Sequence, residues 1–464
     1  MPRVSAFCDD VLGDLDAVGV RDRIAKGEIT ANEAVAAAIA RAERVNPQLN
    51  AIATPRFDSA REESLQPAGP FAGVPSFVKD TDALTGTPLL FGSRGMPSEP
   101  SDHDSAFVSD LRKLGLIMLG KTTTPEFGLT ATTEALAYGA TRNPWNPAHS
   151  TGGSSGGAAA MVASGVVPVA HANDGGGSIR IPASCCGLVG LKPSRGRLPD
   201  VEGAALIPIR IIHQGILTRT VRDTAAFYAE AETLRPPRRL PAIGRVEGFG
   251  PRRRIRFFSR WGSDHRADPV CVSAIADLAE TLDAQGHDVE EIAPPFDSQL
   301  GDDFLVLWST MALGIVQLGK RVLHPRFDKR QVEPFTRGLA NRLRGQALSL
   351  PGAIHRLRAF QRRYEALFAD FDVMLTPTLA TPPPKIGHLG PRVPYEMAIE
   401  RLRAYLPFSA VQNISGGPAL SLPATMSDDG LPVGAQFAAA LGQERLLLEL
   451  AFEVEAARPF PKLQ

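Results

Sequence analysis

The longest run without a charged side chain extends from Asn143 to Asn173, 31 residues with no Asp, Glu, Lys or Arg. Such a run belongs either in a lipid bilayer or in the interior of a folded protein. Pro144, Pro147 and Pro168, with the Gly-Ser cluster Gly152–Gly157, are wrong for a membrane span, so the expectation is burial inside a soluble protein. A chain of 464 residues can supply that interior. At roughly 150 residues per domain it could form up to three domains or one large α/β unit.

Composition narrows the class. Hydrophobic residues make up 44% and charged residues 22%, which excludes disorder for most of the chain. The 43 glycines and 39 prolines are too many for a helical bundle and too few for a low-complexity chain, and so indicate a loop-rich α/β protein. Fifty basic residues balance fifty acidic ones, so no global charge draws the chain to nucleic acid or to a membrane surface. Cys8, Cys185, Cys186 and Cys271 form no CxxC pair, and no histidine cluster has zinc spacing, so neither a disulfide framework nor a metal site is expected. The opening MPRVSAFCDDVLGDLDAVG is acidic, with no continuous apolar stretch, and is not a signal peptide; a cytoplasmic location is the expectation.

Periodicity gives a helix–strand alternation. The opening 60 residues read as helix, with Thr30 and Glu33 forming a capping box before ANEAVAAAIARAERV and Asn46-Pro47 ending it. AGVPSFVKD reads as a short apolar strand, and SAFVSDLRKLGLIMLGK as an amphipathic helix followed by a buried strand. Further on, helix is expected over 158–164, 271–286, 353–370 and ERLLLELAFEVEAA, and strand over 166–170, 188–191, 371–375 and GAQFAAA. The Pro- and Arg-rich stretch 234–260 is a surface crossover into the strand IRFF rather than a nucleic-acid patch, since no aromatic-rich motif accompanies it.

The informative region runs from Ser150 to Gly187, where two Gly-rich turns, Gly152–Gly157 and Gly175–Gly177, flank a helix and a strand. GGSSGG lacks the Lys and the spacing of a phosphate-cradling loop, so a nucleotide site is weakly supported. Three glycines followed by Ser178 instead place several backbone N–H groups beside one hydroxyl, which is what an oxyanion hole around a nucleophile needs. A serine nucleophile needs a base. His171 and His149 are local candidates, and a lysine held neutral by burial is chemically able. Lys79, one of nine lysines, ends the apolar strand after a Gly-Val-Pro turn; taken alone it reads as a snorkelling side chain paired with Asp80. Cys185 and Cys186, with no base signature nearby, read as buried structural thiols.

From Gly152 to Ala183 the chain resembles the amidase signature family at every constrained position: Gly-Gly-Ser-Ser-Gly-Gly, then Asp174, then Gly-Gly-Ser-Ile-Arg-Ile-Pro-Ala. GEITANEAV, NPQLNA, GVPSFVKD, GKTTTPEFG, GATRNPWNP, GLVGLKPSRGR, DVMLTPT, NISGGPALSLPA and GLPVGAQF extend the resemblance over nearly the whole chain, and it is most similar to bacterial, particularly actinobacterial, amidases. The resemblance implies an α/β fold with a large mixed central sheet covered by helices on both faces. It implies one amidase domain over 1–464, with N-terminal helices over about 8–60, a catalytic core over about 65–225, a variable pocket region over about 226–410, and a C-terminal sheet and helix over about 411–464.

The resemblance further implies a Ser–Ser–Lys triad, with Ser178 as nucleophile, Ser154 as a bridging serine on a cis peptide bond, and Lys79 as base. Backbone N–H groups of Gly175, Gly176, Gly177 and Ser178 take the oxyanion role, and Ser155, Asp174 and Arg180 support the loop. Lys121 and Lys192 read as surface or structural residues. Gly175 stands where the family often has Thr or Ile, and Asn173 precedes Asp174; both keep the backbone donors. The implied reaction is hydrolysis of a small-molecule carboxylic amide with no metal or organic cofactor and no nucleic-acid or membrane partner; a homodimer is left open. The alternatives are the glutaminase subunit of a tRNA-dependent amidotransferase and a non-catalytic binding homologue, the latter opposed by the joint presence of Lys79, Ser154 and Ser178.

Overall fold

A computed structural model describes residues 2–261 and 265–463. The capping box at Thr30 forms: the Thr30 hydroxyl accepts the Glu33 N–H, and the Glu33 carboxylate accepts the Thr30 N–H. The helix it opens, Ala31–Leu49, does not stop at Asn46 but runs through Pro47. Proline removes one intrahelical bond, yet the last turn is closed by Asn50 in the left-handed conformation, whose N–H donates to Asn46 O at 2.7 Å. The Asn46 side chain then accepts from the N–H groups of Ala51 and Ile52 and steers the chain into a strand, Ile52–Pro55, inside the stretch read as helix.

That strand belongs to a three-stranded sheet. It pairs antiparallel with Ile117–Thr122, which pairs parallel with Pro75–Lys79. The second, eight-stranded sheet runs in the order Asp288–Glu291, Arg254–Phe257, Val373–Pro377, Pro432–Ala438, Ala419–Met426, Val189–Lys192, His213–Thr218, Val169–Asp174. Its first three strands are mutually parallel and the remaining pairings antiparallel, giving the expected mixed sheet flanked by helices. The strand expected over 166–170 starts later, at Val169, because Val166 and Val167 close the preceding helix with hydrogen bonds to Met161 O. The edge strand Val169–Asp174 packs against Pro75–Lys79 of the smaller sheet, which brings the two Gly-rich turns to Lys79.

The charge-free run lies where its composition requires. Helix Gly156–Ala163 and strand Val169–Asp174 are buried at every residue. The helix start tolerates only glycine: a Cβ at Gly156 would lie 2.2 Å from Thr151 Oγ1 and 2.3 Å from Thr133 Oγ1. The main apolar core draws on residues from Val4 to Leu463, so both chain ends close over the same interior. In the Arg-rich crossover, Arg235, Arg252, Arg253, Arg254 and Arg256 pair with Asp110, Glu453, Glu449, Asp372 and Asp288, which accounts for the basic run through ion pairs within the chain. Among the described residues no helix is long and apolar enough to cross a membrane.

Candidate active site

Three segments converge. Lys79 ends its strand with no exposed surface, Ser154 precedes helix Gly156–Ala163 on a cis Gly153–Ser154 peptide, and Gly175–Ser178 follow strand Val169–Asp174. Lys79 Nζ lies 2.7 Å from Ser154 Oγ, 2.7 Å from Asn173 Oδ1 and 3.5 Å from Asn173 O. Burial pushes the lysine down to about 7 from its ordinary 10.5, while the charges of Asp82 and Asp174 act in the opposite sense. A free amine is therefore accessible near neutral pH. Asp80, the partner Lys79 would have as a snorkelling residue, is paired instead with Lys121 at 2.6 Å and accepts the Tyr138 hydroxyl.

Ser178 lies two residues before helix Arg180–Cys186 and lines a cavity. Among the described residues its hydroxyl and N–H make no hydrogen bond, and the N–H groups of Gly175 and Gly176 donate to none. Gly177 is a correction to the predicted set of oxyanion donors, because its N–H donates to Asp174 Oδ1 at 2.6 Å. Its necessity is steric: φ is +128°, and a Cβ would lie 2.7 Å from Ile181 Cδ1 and 2.8 Å from Ser409 Oγ. Of the two contacts expected of Ser154, the structure holds the one to Lys79; no hydrogen bond joins Ser154 to Ser178 among the described residues.

A buried ion pair holds the glycine loop. Arg180 donates to both oxygens of Asp174 and to Gln412, Asn413 and Gln436, so all five of its N–H groups are used. Burial alone would raise Asp174, but the Arg180 guanidinium and the Asn413 amide hold its carboxyl well below the usual carboxylate range. Asp174 also accepts from the N–H groups of Gly177 and Ile179 on either side of Ser178, which fixes the loop around that serine. The Ser155 hydroxyl donates to Asn173 O at 3.3 Å.

The other candidates are engaged elsewhere. His171 Nδ1 accepts the Lys79 N–H, so Nε2 carries the proton and donates to Gln214 Oε1 at 2.8 Å; the ring is fully buried and holds Lys79 rather than serving Ser178. His149 lies in a bridge to Lys385. Burial pushes the Cys185 thiol up to about 12, where it stays protonated. Lys121 and Lys192 are not at the surface: both are fully buried, and Lys192 Nζ donates to Pro193 O at 2.6 Å. Among the described residues no cluster of His, Cys, Asp and Glu could hold a metal ion.

The cavity beyond Ser178 has a volume of about 210 Å³. Its walls include Leu129, Phe304, Trp308 and Ile399, with the Phe304 and Trp308 rings stacked at 5.4 Å. These aromatic residues come from helix Gln299–Val322, which periodicity reading passed over although Leu300, Phe304, Trp308 and Ala312 recur every fourth residue. Asn173 was also missed as a side-chain partner. Its signal was the alternation of the strand, which puts His171 and Asn173 on one face and Asp174 on the other.

Comparison with known proteins shows the family. The sequence profile of the Amidase family matches residues 33–448. AmiC of Mycobacterium tuberculosis, an inferred amidase, is 45% identical over 468 residues, covering 100% of this chain and 98% of the relative. The solved structure of a 6-aminohexanoate cyclic dimer hydrolase superposes with a TM-score of 0.87 at 35% identity, covering 96% of this chain and 97% of that one. A bacterial aryl acylamidase of the amidase signature family superposes with a TM-score of 0.83 at 28% identity, covering 96% of each chain. The chain belongs to the amidase signature family and is an amidase.

Proposed function

We propose that this amidase hydrolyses a neutral amide carrying an apolar group, through an acyl-enzyme on Ser178. The observation that carries the mechanism is the buried 2.7 Å contact between Lys79 Nζ and Ser154 Oγ, at an amine with a pKa near 7. The neutral amine takes the Ser154 proton as Ser154 takes the Ser178 proton, and Ser178 Oγ attacks the carbonyl carbon. Ser178 Oγ has no competing partner among the described residues, and this reading requires it to reach Ser154 when the substrate is bound. In this reading the free N–H groups of Gly175, Gly176 and Ser178 receive the oxyanion, each such donor contributing about 3–4 kcal/mol to the transition state in comparable sites. The proton returns through Ser154 to the leaving nitrogen, the C–N bond breaks, and water attacking the ester carbonyl regenerates Ser178.

The cavity supports the substrate class. Among its described lining residues the one charged side chain is Arg403, whose guanidinium donates to Asp302 at 2.5 Å. A glutamine amide would bring both an ammonium and a carboxylate into these walls without partners, a costly burial. The relatives are named for hydrolysis of a cyclic 6-aminohexanoate dimer and of aryl acylamides, both compatible with such walls. The test is turnover by the purified protein of uncharged anilides and alkyl amides against glutamine. Amine release from the uncharged amides is expected, with kcat/KM at least a hundredfold above that for glutamine; preference for glutamine would overturn the proposal.

A further inference from the structure

Both ends of Lys79 lead to one carboxylate. Its backbone N–H donates to His171, whose Nε2–H donates to Gln214 Oε1, and Gln214 Nε2 donates to Asp82 Oδ1 at 2.6 Å. At the other end Lys79 Nζ meets Asn173 Oδ1, while Asn173 Nδ2 donates to Thr81 Oγ1 at 2.6 Å and lies 3.4 Å from Asp82 Oδ2. The Thr81 hydroxyl donates onward to Asp82 Oδ2 at 3.2 Å, and Ser105 Oγ donates to Asp82 Oδ1 at 3.0 Å. This polarity fixes the Asn173 carboxamide with its oxygen toward the lysine. A flipped amide would set its NH2 against the amine and its oxygen against a carboxylate.

Around Nζ the count then closes. A neutral primary amine has two N–H groups and one lone pair. Its three neighbours are the two oxygens of Asn173, which can only accept, and the Ser154 hydroxyl, which can donate. We infer that Asn173, held by Thr81 and Asp82, is the positioning residue that takes both N–H groups of Lys79 and so aims its lone pair at Ser154. The inference rests on the proposed Ser–Ser–Lys mechanism. It also explains why an uncharged amide is suited to this position, since a carboxylate there would pair with an ammonium and hold the base in its inactive form. The charged and titratable groups facing the lysine are Asp82 and Asp174, the neutral His171 ring, and the pair between Lys121 on the adjacent strand and Asp80, the next residue in the chain.

The test is the pH dependence of Ser178 labelling by a fluorophosphonate, which needs no knowledge of the substrate. In Asn173→Asp, a near-isosteric change, the acid limb should move at least one pH unit to higher pH, so that labelling at pH 7 falls tenfold or more and recovers by about pH 9. A purely structural role would leave the limb in place, and an unmoved limb overturns the inference. Thr81→Val, which frees the Asn173 amide to rotate, covers the case in which the Asp variant does not fold. Its plateau rate should fall about tenfold with the limb unmoved, and a wild-type plateau would be equally fatal. Lys79→Ala separates the two levels: labelling at the wild-type rate there refutes the mechanism itself, whereas slow labelling with an unmoved Asn173→Asp limb refutes only the role of Asn173.

Discussion

Replacing Lys79 with methionine should make the protein more stable at neutral pH, and the gain should shrink as pH rises. The folded-state pKa is about 7 against an ordinary 10.5. At about 1.4 kcal/mol per unit, holding the lysine in its fully buried site costs roughly 4–5 kcal/mol when both states are protonated, at and below pH 7. Between pH 7 and 10.5 the folded lysine has shed its proton while the unfolded one keeps it. The unfolded state then binds more protons, so wild-type stability rises with pH by about 1.4 kcal/mol per unit until the cost vanishes above 10.5. Methionine removes this term at every pH but leaves Asn173 Oδ1 without its donor, at about 1–3 kcal/mol. The variant should gain about 1–4 kcal/mol at pH 7 and lose roughly 2–3 kcal/mol of that advantage by pH 9. Urea unfolding midpoints followed by tryptophan fluorescence at pH 6, 7, 8 and 9 measure the difference. A variant less stable than wild type by the same amount at all four pH values would refute the claim that Lys79 is buried at the expense of its charge.

Further outcomes follow from the same geometry. Lys79→Arg should be inactive on amides, because a guanidinium cannot be deprotonated; an active variant would reduce Lys79 to a positive charge. Ser154→Ala should lower kcat by orders of magnitude while Ser178 still reacts slowly with activated probes, and wild-type turnover would remove the bridge from the mechanism. Gly177→Ala should cost activity and stability together, since its Cβ meets Ile181 and Ser409, and a variant with unchanged kcat and melting temperature would contradict that packing.

The candidate catalytic segment was legible because its residue types are constrained. A charge-free, glycine-broken run admits few homes, and a hydroxyl beside consecutive glycines needs a base, which the matched motifs placed at Lys79. Glycine loops say less about direction: Gly175, Gly176 and Gly177 looked equivalent as donors, but the Asp174 carboxylate claims one of the three N–H groups. Asn173 was counted only for its backbone, because strand alternation gives the face of its side chain but not its partner, which lies 94 residues away. Pro47 ended the first long helix too early on paper, because the Asn50 cap one turn later outweighs one lost hydrogen bond. The cavity walls were the least legible part. Helices Gln299–Val322 and Tyr395–Tyr405 lie where the motifs match only in patches, and the apolar residues that face the cavity, such as Phe304, Trp308 and Ile399, carry no motif.

The central claim is that Ser178 is the nucleophile. Wild-type protein treated with a fluorophosphonate, digested and mapped by mass spectrometry, tests it directly. One label per chain on the peptide containing Ser178 is predicted, abolished in Ser178→Ala together with amide hydrolysis while the thermal melt is retained. Stoichiometric labelling at Cys185 or Cys186, or a Ser178→Ala protein that still turns over amides, would contradict it.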